Sequence, residues 1–210
     1  MNEFITIKEN TSAELVEKKS KFIANLFYVE SVREAEDIIK EINKKYFDAR
    51  HNCIAYRIVE DGKIIERGSD NGEPTGTAGA PMLNILQKNN LANVLVVVTR
   101  YFGGILLGTG GLVRTYSTSL TMAIEKSEMI KKCLGYELDV MLEYSEFETF
   151  KYYCKNNEIN ILKTTYNEKI VCKIETVEDK KIKLLEDYKQ KNINIINIEE
   201  LNKKIINKCK

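Results

Sequence analysis

The sequence predicts an α+β protein of two domains, with a boundary near Cys133. Its 210 residues are enough for two domains of ordinary size, and 43% hydrophobic and 30% charged residues are typical of a globular chain with a buried core. Before the boundary, β-prone and helical segments are separated by loops rich in glycine and proline. After it, glycine and proline nearly disappear and short regular units alternate. The expected domains are therefore residues 1–133 and 134–210.

The N-terminal part is predicted to contain strands and three helices. Residues 4–7 and 22–29 are β-prone and flank a polar turn, and Ser31 with Glu34 has the spacing of a capping box at a helix start. Residues 52–59 alternate like a strand and lead through a turn at Asp61 and Gly62 into a hairpin. The remaining predicted elements are a helix at 78–87, a strand buried on both faces at 94–99 and a helix at 110–128.

The C-terminal part is predicted to have the element order βαββαβ, which is the split-βαβ or ferredoxin-like plan. Ser145, with Glu148 three residues later, is expected to cap its first helix, and the last eight residues to form a frayed basic tail. The predicted strands are 136–142, 159–166, 170–176 and 193–198, and the predicted helices are 145–156 and 179–189.

Two loops contain most of the glycine in the chain. Ten of the eleven glycines and both prolines lie between residues 62 and 111. We name residues 69–81 the first loop and residues 100–114 the second loop. Because glycine loses much backbone entropy on folding, such density needs a turn, a close backbone approach or a ligand to explain it. These loops are the candidate site.

The second loop follows a buried strand and opens a helix, a position where backbone N–H groups and the helix dipole can hold an anion. Gly108, Gly110 and Gly111 would supply the cradle, and Arg100 and Arg114 could bind phosphate oxygens. The loop matches neither the P-loop nor GxGxxG. A purely structural role for these glycines, in a tight turn and in close packing of the helix on the sheet, is given the same weight as anion binding.

Carboxylates and one histidine accompany the first loop. Asp70 and Glu73 could serve acid/base chemistry or bind a hard cation, but turn hydrogen bonds and helix capping are favoured. His51 is the only histidine, and a pairing with Cys53 is disfavoured because neighbouring side chains on one strand face run parallel.

Aromatic residues beside Arg100 provide stacking surface next to charge. Arg50 and Tyr101 are the favoured recognition residues, for a nucleotide, an RNA base or a peptide, whereas Phe102 is expected to pack under the loop.

Composition limits the remaining possibilities. No apolar run approaches the length of a membrane span, the N-terminus lacks signal-peptide features, and five cysteines without a CxxC pair suggest reduced thiols. We therefore expect a cytoplasmic protein with no membrane association, no metal and no cofactor. Lys and Arg total 32 against 31 Asp and Glu, so a broad phosphate-binding surface is not expected.

A long ordered set of motifs resembles the IMPACT/YigZ-type family (uncharacterised protein family 29) in its bacterial two-domain form. The matching segments are SKFIA at 20–24, HNCIAYR at 51–57, SDNGEPTGTAG at 69–79, VTRYFGG at 98–104 and LGTGGLVR at 107–114. The resemblance extends over residues from about 15 to 130. It departs from the family pattern at Ala80 and Leu106, where many members carry lysine.

The resemblance implies an N-terminal domain like the second domain of a small-subunit ribosomal protein, and a C-terminal domain similar to one in elongation factor G. Eukaryotic relatives are implied to be translational regulators on the amino-acid-starvation kinase pathway. Nucleic-acid or ribosome association is implied by fold kinship, which is analogy.

The resulting hypothesis is a non-catalytic protein of translation or stress regulation that binds RNA, a ribosomal element or a protein through both loops. The alternative is a small-molecule or nucleotide-phosphate binder with weak hydrolase or transferase activity. The predicted contact residues are His51, Asp70, Glu73, Arg100, Tyr101, Gly103, Gly104, Gly108, Gly110, Gly111 and Arg114.

Overall fold

The computed structural model describes residues 3–60 and 62–207. Its contacts divide the chain into two compact units, Glu3–Lys131 and the residues from Lys132 onward. No helix in these described ranges is long and apolar enough to cross a membrane. The two units are described separately below.

The first unit contains an antiparallel sheet of five strands in the order β2-β3-β6-β4-β5. Its elements are β1 (Glu3–Ile7), β2 (Thr11–Glu17), β3 (Ser20–Tyr28), α1 (Val32–Lys45), β4 (His51–Glu60), β5 (Lys63–Ser69), α2 (Gly79–Lys88), β6 (Val94–Tyr101) and α3 (Gly108–Glu125).

Helices cover both faces of this sheet. Helix α1 packs on one face, and α2 and α3 pack on the other. Because side chains alternate along a strand, Val94, Val96 and Val98 of β6 join the α2/α3 core, while Leu95 and Val97 join the α1 core. The predicted strand buried on both faces is confirmed by this arrangement.

Two local features of the first unit bear on the predictions. The Ser31 cap is confirmed, because the Glu34 N–H donates to Ser31 Oγ at 3.1 Å and the Glu34 carboxylate accepts from the Glu30 N–H. Strand β2 was not predicted, since its alternation is weakened by exposed charged residues along a sheet edge. The predicted β4–β5 hairpin is present, but Asp61 lies outside the described residues.

The second unit has the observed element order β, α, β, β, α, β, with a short 3₁₀ turn at Tyr144–Glu146. Its strands form antiparallel pairs in the order β10-β7-β9-β8, and one hydrophobic core fills the space beneath them. The elements are β7 (Met129–Leu142), α4 (Phe147–Asn156), β8 (Asn160–Tyr166), β9 (Ile170–Val177), α5 (Glu178–Lys189) and β10 (Asn197–Asn207).

Two predictions for this unit are wrong. Ser145 lies in the 3₁₀ turn rather than capping α4, which begins at Phe147. The last strand is β10, not residues 193–198, and the supposed frayed tail is its second half as far as Asn207, paired with β7. The lysines hide the strand pattern: Lys204 bridges Glu137 at 2.8 Å, and Ile206, two residues further on the same face of β10, is buried. Residues 208–210 lie outside the described part.

Candidate functional site

The site is built on one end of the α2/α3 face of the first sheet. The strand register places Phe22 and His51 on either side of Arg100, so these three side chains emerge on the same face. Two residues away along their strands, Ser20 and Cys53 share that face. The pleat therefore brings together residues that are up to 80 positions apart in the chain.

The first loop places Glu73 on this platform, and α3 adds Tyr116. The Glu73 side chain is only 3% exposed, and its Oε1 accepts hydrogen bonds from Arg100 Nη1 at 2.7 Å and from the Tyr116 hydroxyl at 2.8 Å. We call Glu73, Arg100, Tyr116, His51 and Ser20 the Glu73 network. A buried carboxylate needs such partners, since burial without them would be very costly.

Arg100 is committed to the interior of the protein. Its guanidinium lies 5.3 Å from the ring centroid of Phe22 and 5.5 Å from that of Phe102, and Nη2 is 3.5 Å from Ser20 Oγ. In the structure, the group that could have bound an external phosphate is paired with Glu73 instead. Ligand binding by Arg100 stays a prediction.

His51 and Cys53 contact the first loop instead of each other. His51 Nδ1 lies 2.8 Å from the carbonyl oxygen of Asn71, which leaves Nε2 3.9 Å from Glu73 Oε2. Cys53 Sγ lies 2.9 Å from the carbonyl oxygen of Asp70. Burial raises the pKa of Cys53 to about 12, so the thiol is protonated at neutral pH and is a poor nucleophile.

Asp70 caps helix α2. Its Oδ1 accepts from the N–H groups of Ala78 and Gly79, and its Oδ2 accepts from that of Gly76. Burial alone would raise the pKa of Asp70, but these three donors outweigh it and hold the pKa below the ordinary value. The favoured capping role of Asp70 is thus what the structure shows.

The second loop is anchored at Gly103. A Cβ at this position would lie 2.0 Å from the carbonyl carbon of Lys19, and the Gly103 N–H donates to Ser20 Oγ at 3.1 Å. Glycine is required here by close backbone approach to the β2–β3 turn.

The rest of the second loop presents apolar side chains and bare glycines to solvent. Leu106 is 81% exposed and Ile105 is 42% exposed, with Phe102 and Val113 also exposed beside them. We call these four residues the apolar patch. Gly104, Gly108 and Gly110 have open space where a Cβ would be, whereas Gly111 lies against Leu107.

Basic side chains surround the apolar patch. Arg50 lies 5.7 Å from the Phe102 ring centroid, and Arg114 is exposed one helical turn beyond Gly110. The Tyr101 hydroxyl donates to Asp48 at 2.8 Å, which raises the pKa of Tyr101. No Asp or Glu occurs in the 51 residues from Pro74 to Ile124, although the chain has 31 of them. The segment that carries the apolar patch is therefore free of acids, and the exposed Asp48 beside Tyr101 comes from another part of the chain.

The predicted site residues thus separate into two groups. His51, Glu73 and Arg100 belong to the Glu73 network, with Asp70 beside them as a helix cap. The exposed group comprises Gly104, Gly108, Gly110 and Arg114, with Tyr101 half-buried, Gly111 at the edge and Gly103 as the anchor.

Sequence reasoning missed Tyr116 and Ser20 as members of the network. Tyr116 was assigned to the apolar stripe of α3, which is correct for its ring, but nothing in the helix pattern indicates that its hydroxyl meets Glu73. Ser20 stands in one of the family-like segments, which is the sequence signal that could have singled it out, whereas its burial and its contacts with Arg100 and Gly103 are visible only in the structure. Within residues 3–60 and 62–207, no three His, Cys, Asp or Glu side chains are grouped as metal ligands.

Comparison with known proteins identifies the family. The model of the Impact N-terminal domain matches residues 18–124, which include both loops and the Glu73 network. The chain belongs to the IMPACT family. IMPACT family member YvyE of Bacillus subtilis is 35% identical over 170 residues, covering 81% of this chain and 78% of the relative.

Other relatives extend this assignment along the chain. IMPACT family member YigZ of Escherichia coli is 30% identical over 87% of this chain and 92% of its own length. The IMPACT homologue of Dictyostelium discoideum is 43% identical over 112 residues, which are 52% of this chain and 32% of that protein. A crystal structure of a hypothetical protein is 28% identical, with a TM-score of 0.64 over 96% of this chain and all of its own.

Proposed function

We propose that this protein is a non-catalytic cytoplasmic regulator of translation, active under stress, that binds a macromolecular partner through the face formed by the two loops. The partner would be RNA, a ribosomal element or a protein. Membership of the IMPACT family supports a role in translation, because the family resemblance implies translational regulation in eukaryotic relatives. The site geometry supports the mode of action.

The observation that carries this proposal is the separation of the site into a buried polar layer and an exposed apolar layer. Glu73, Arg100 and Asp70 use their polar atoms on one another and on the backbone, which holds the loops in place. In the second loop, the large side chains that are exposed to solvent are apolar or basic. Such an arrangement favours recognition of a surface over chemistry on a small substrate.

We also propose the fold kinship that the resemblance implies. The strand order β10-β7-β9-β8 corresponds to 4-1-3-2 within the second unit, the order of the ferredoxin-like plan, and supports similarity to a domain of elongation factor G. The first unit would correspond to the second domain of a small-subunit ribosomal protein.

A bacterial translation extract tests the proposed function. The protein is added at increasing concentration, reporter synthesis is measured with sufficient and with limiting amino acids, and ribosomal fractions are separated on sucrose gradients. We expect the wild type to alter synthesis and to co-sediment with ribosomal material. The Tyr101→Ala/Arg114→Ala variant should lose both effects.

The matched control is Arg33→Ala/Tyr152→Ala, which removes an exposed arginine from α1 and an exposed tyrosine from α4. This control should behave like wild type. If the wild type changes neither synthesis nor sedimentation, the proposed function is wrong.

The alternative, a nucleotide-phosphate site, is favoured by one observation. Helix α3 is 18 residues long and begins at exposed glycines, and in the described part of the chain its first turn receives no side-chain cap. A thermal-shift panel of nucleotides and sugar phosphates at millimolar concentration tests it, because a specific ligand raises the melting temperature by mass action. If none raises it, this alternative is excluded.

A further inference from the structure

We propose that the apolar patch docks a segment of another protein that presents one apolar anchor side chain flanked by carboxylates. This inference rests on the proposed function and names the class of partner. Its three supports are the exposure of the patch, the rigidity of its base and the charge around it.

The most exposed side chains of the patch are aliphatic. Ile105 and Leu106 follow each other in the second loop, and Leu106 is 81% exposed. A leucine presented in this way at a loop tip contributes little to folding, because it remains in water in the folded protein. Burial against a partner would remove it from water, as expected of an anchor contact at an interface.

The base of the patch is held rigidly. Gly103 lies against the backbone of Lys19, and the Phe102 ring is contacted by the guanidinium groups of Arg50 and Arg100. Arg100 is itself fixed by Glu73. A surface that is already ordered loses less conformational entropy on binding, so that a short segment can bind it.

The charge around the patch favours an acidic partner. Arg50 and Arg114 are exposed, Lys18 and Lys19 are exposed in the adjoining β2–β3 turn, and residues 74–124 contain no acid. Of the acids that contact this region, Glu73 is buried and paired with Arg100, and Asp48 accepts a hydrogen bond from the Tyr101 hydroxyl. A second copy of this chain would place the same cations opposite one another across a two-fold interface, which disfavours self-association.

The same features disfavour RNA as the occupant. Bases are bound by stacking on aromatic rings, whereas the most exposed side chains of the patch are aliphatic. The Phe102 ring is already contacted by two guanidinium groups, and the Tyr101 hydroxyl is bonded to Asp48. An aliphatic anchor surrounded by cations suits a peptide with apolar and acidic residues.

A display library of random dodecapeptides, selected on the full chain, tests the inference. Leu106→Asp serves for counter-selection, and far-ultraviolet circular dichroism and melting temperature verify that it folds like wild type. We expect the enriched peptides to share an apolar residue flanked by Asp or Glu. Their synthetic, fluorescently labelled forms should bind Leu106→Asp roughly 30-fold more weakly, which is typical for loss of an anchor residue.

Charge provides a second readout. Arg114→Ala should lower the affinity for the same peptides by about three- to tenfold at low salt and by less at high salt, because salt screens exposed charge pairs. The controls Ile182→Asp, on the second unit, and Arg33→Ala, on α1, should bind within about twofold of wild type.

Several outcomes overturn the inference. It is wrong if no selected peptide depends on Leu106 for binding, or if the enriched peptides are basic or lack an apolar residue. It is also wrong if random single-stranded RNA or anionic vesicles bind in a Leu106-dependent way and peptides do not. Leu106-dependent dimerisation in analytical ultracentrifugation would instead identify a second copy as the occupant.

The inference and the proposed function fail separately. If the translation extract responds to the protein and the response survives Leu106→Asp, the partner assignment is wrong and the function stands. If acidic peptides bind through Leu106 while the extract never responds, the docking surface stands and the proposed function is wrong.

Discussion

At the scale of single residues, the Glu73 network decides how the site is held together. The carboxylate joins the first loop to β6 through Arg100 and to α3 through Tyr116. Burial raises the pKa of Tyr116, so the hydroxyl keeps its proton and remains a donor to Glu73. Glu73, Arg100 and Asp70, which are among the predicted contact residues, therefore also fix the loops.

The first prediction concerns the Glu73–Arg100 pair. Glu73→Gln should lower the free energy of opening of the first unit by about 3–5 kcal/mol, because it leaves Arg100 buried without its counter-charge. Hydrogen exchange of β6 amides measures the free energy of opening locally, which suits a chain of two units. The double variant Glu73→Gln/Arg100→Met should cost less than the sum of its parts.

The matched control is the exposed pair of Lys40 and Asp37, 2.8 Å apart on α1. Lys40→Ala should change the opening free energy by less than about 1 kcal/mol. A cost for Glu73→Gln as small as that of Lys40→Ala would contradict a structural role for the pair.

The second prediction concerns Asp70 and pH. Its pKa is lower in the folded protein than the ordinary 3.8, so the stabilisation is fully present above that value and is lost as the pH falls through the folded pKa. Asp70→Asn should cost roughly 1–2 kcal/mol at neutral pH, as loss of a helix cap does. The difference from wild type should shrink below pH 3.8.

Urea unfolding at pH 7, 5 and 3 checks this expectation. A difference between wild type and Asp70→Asn that is the same at all three pH values would show that the ionised carboxylate is not what caps α2.

At the scale of elements, glycine has different tasks within one loop. Gly103 permits contact between two backbones, whereas Gly110 lies in the first turn of α3 with open space around it. The sequence could show only that glycines are clustered. Which of them the fold requires depends on neighbours such as Lys19, which stands 84 residues away in the chain.

The third prediction compares these two glycines. Gly103→Ala should destabilise the first unit by about 1–3 kcal/mol, because the new methyl group would overlap the backbone of Lys19. Gly110→Ala should stabilise it by up to about 1 kcal/mol, since alanine is the better helix former. Melting temperatures of the two variants give the comparison, and equal values would contradict it.

The fourth prediction concerns the second half of β10, where the sequence predicts a frayed tail and the structure has a paired strand. Ile206 is 6% exposed and lies against the position of Gly135 on β7. Ile206→Ala should lower the free energy of unfolding of the second unit by about 2–4 kcal/mol. Ile205→Ala, at the less buried neighbouring position, should lower it clearly less. Hydrogen exchange of β9 amides measures the effect. If Ile206→Ala does not lower their protection, the segment behaves as a frayed tail and the prediction is wrong.

At the scale of the whole molecule, charge is balanced overall but not along the chain. The net charge is +1, yet all 31 acids lie outside residues 74–124. Local charge of this kind selects partners that approach one face, whereas net charge governs nonspecific attraction. This distribution agrees with the acidic partner proposed above, and we expect nonspecific binding of nucleic acid to be weak.

The fifth prediction follows for random-sequence RNA. With Arg50, Arg114, Lys18 and Lys19 as the exposed cations around the patch, the slope of log K against log salt should not exceed about 4 in magnitude, since each phosphate contact contributes roughly 0.7–0.9. Fluorescence titration between low and physiological salt measures it. A slope of about 5 or more would reveal a much larger basic surface.

The sequence by itself determined the family, the α+β composition and most helices and strands. These depend on local patterns, such as the Ser31 cap, the β-branched run in β6 and the alternation in β4, which act over a few residues. It also located the candidate site, because glycine density is a property of the chain alone.

Only the tertiary structure decided what each site residue does. Arg100 reads as a surface cation in sequence, but the pleat turns it inward and the first loop brings Glu73 to it. Leu106 reads as an ordinary apolar residue, yet it is the most exposed large hydrophobic side chain of the second loop. Burial and pairing are set by contacts between distant segments, and local sequence carries no record of them.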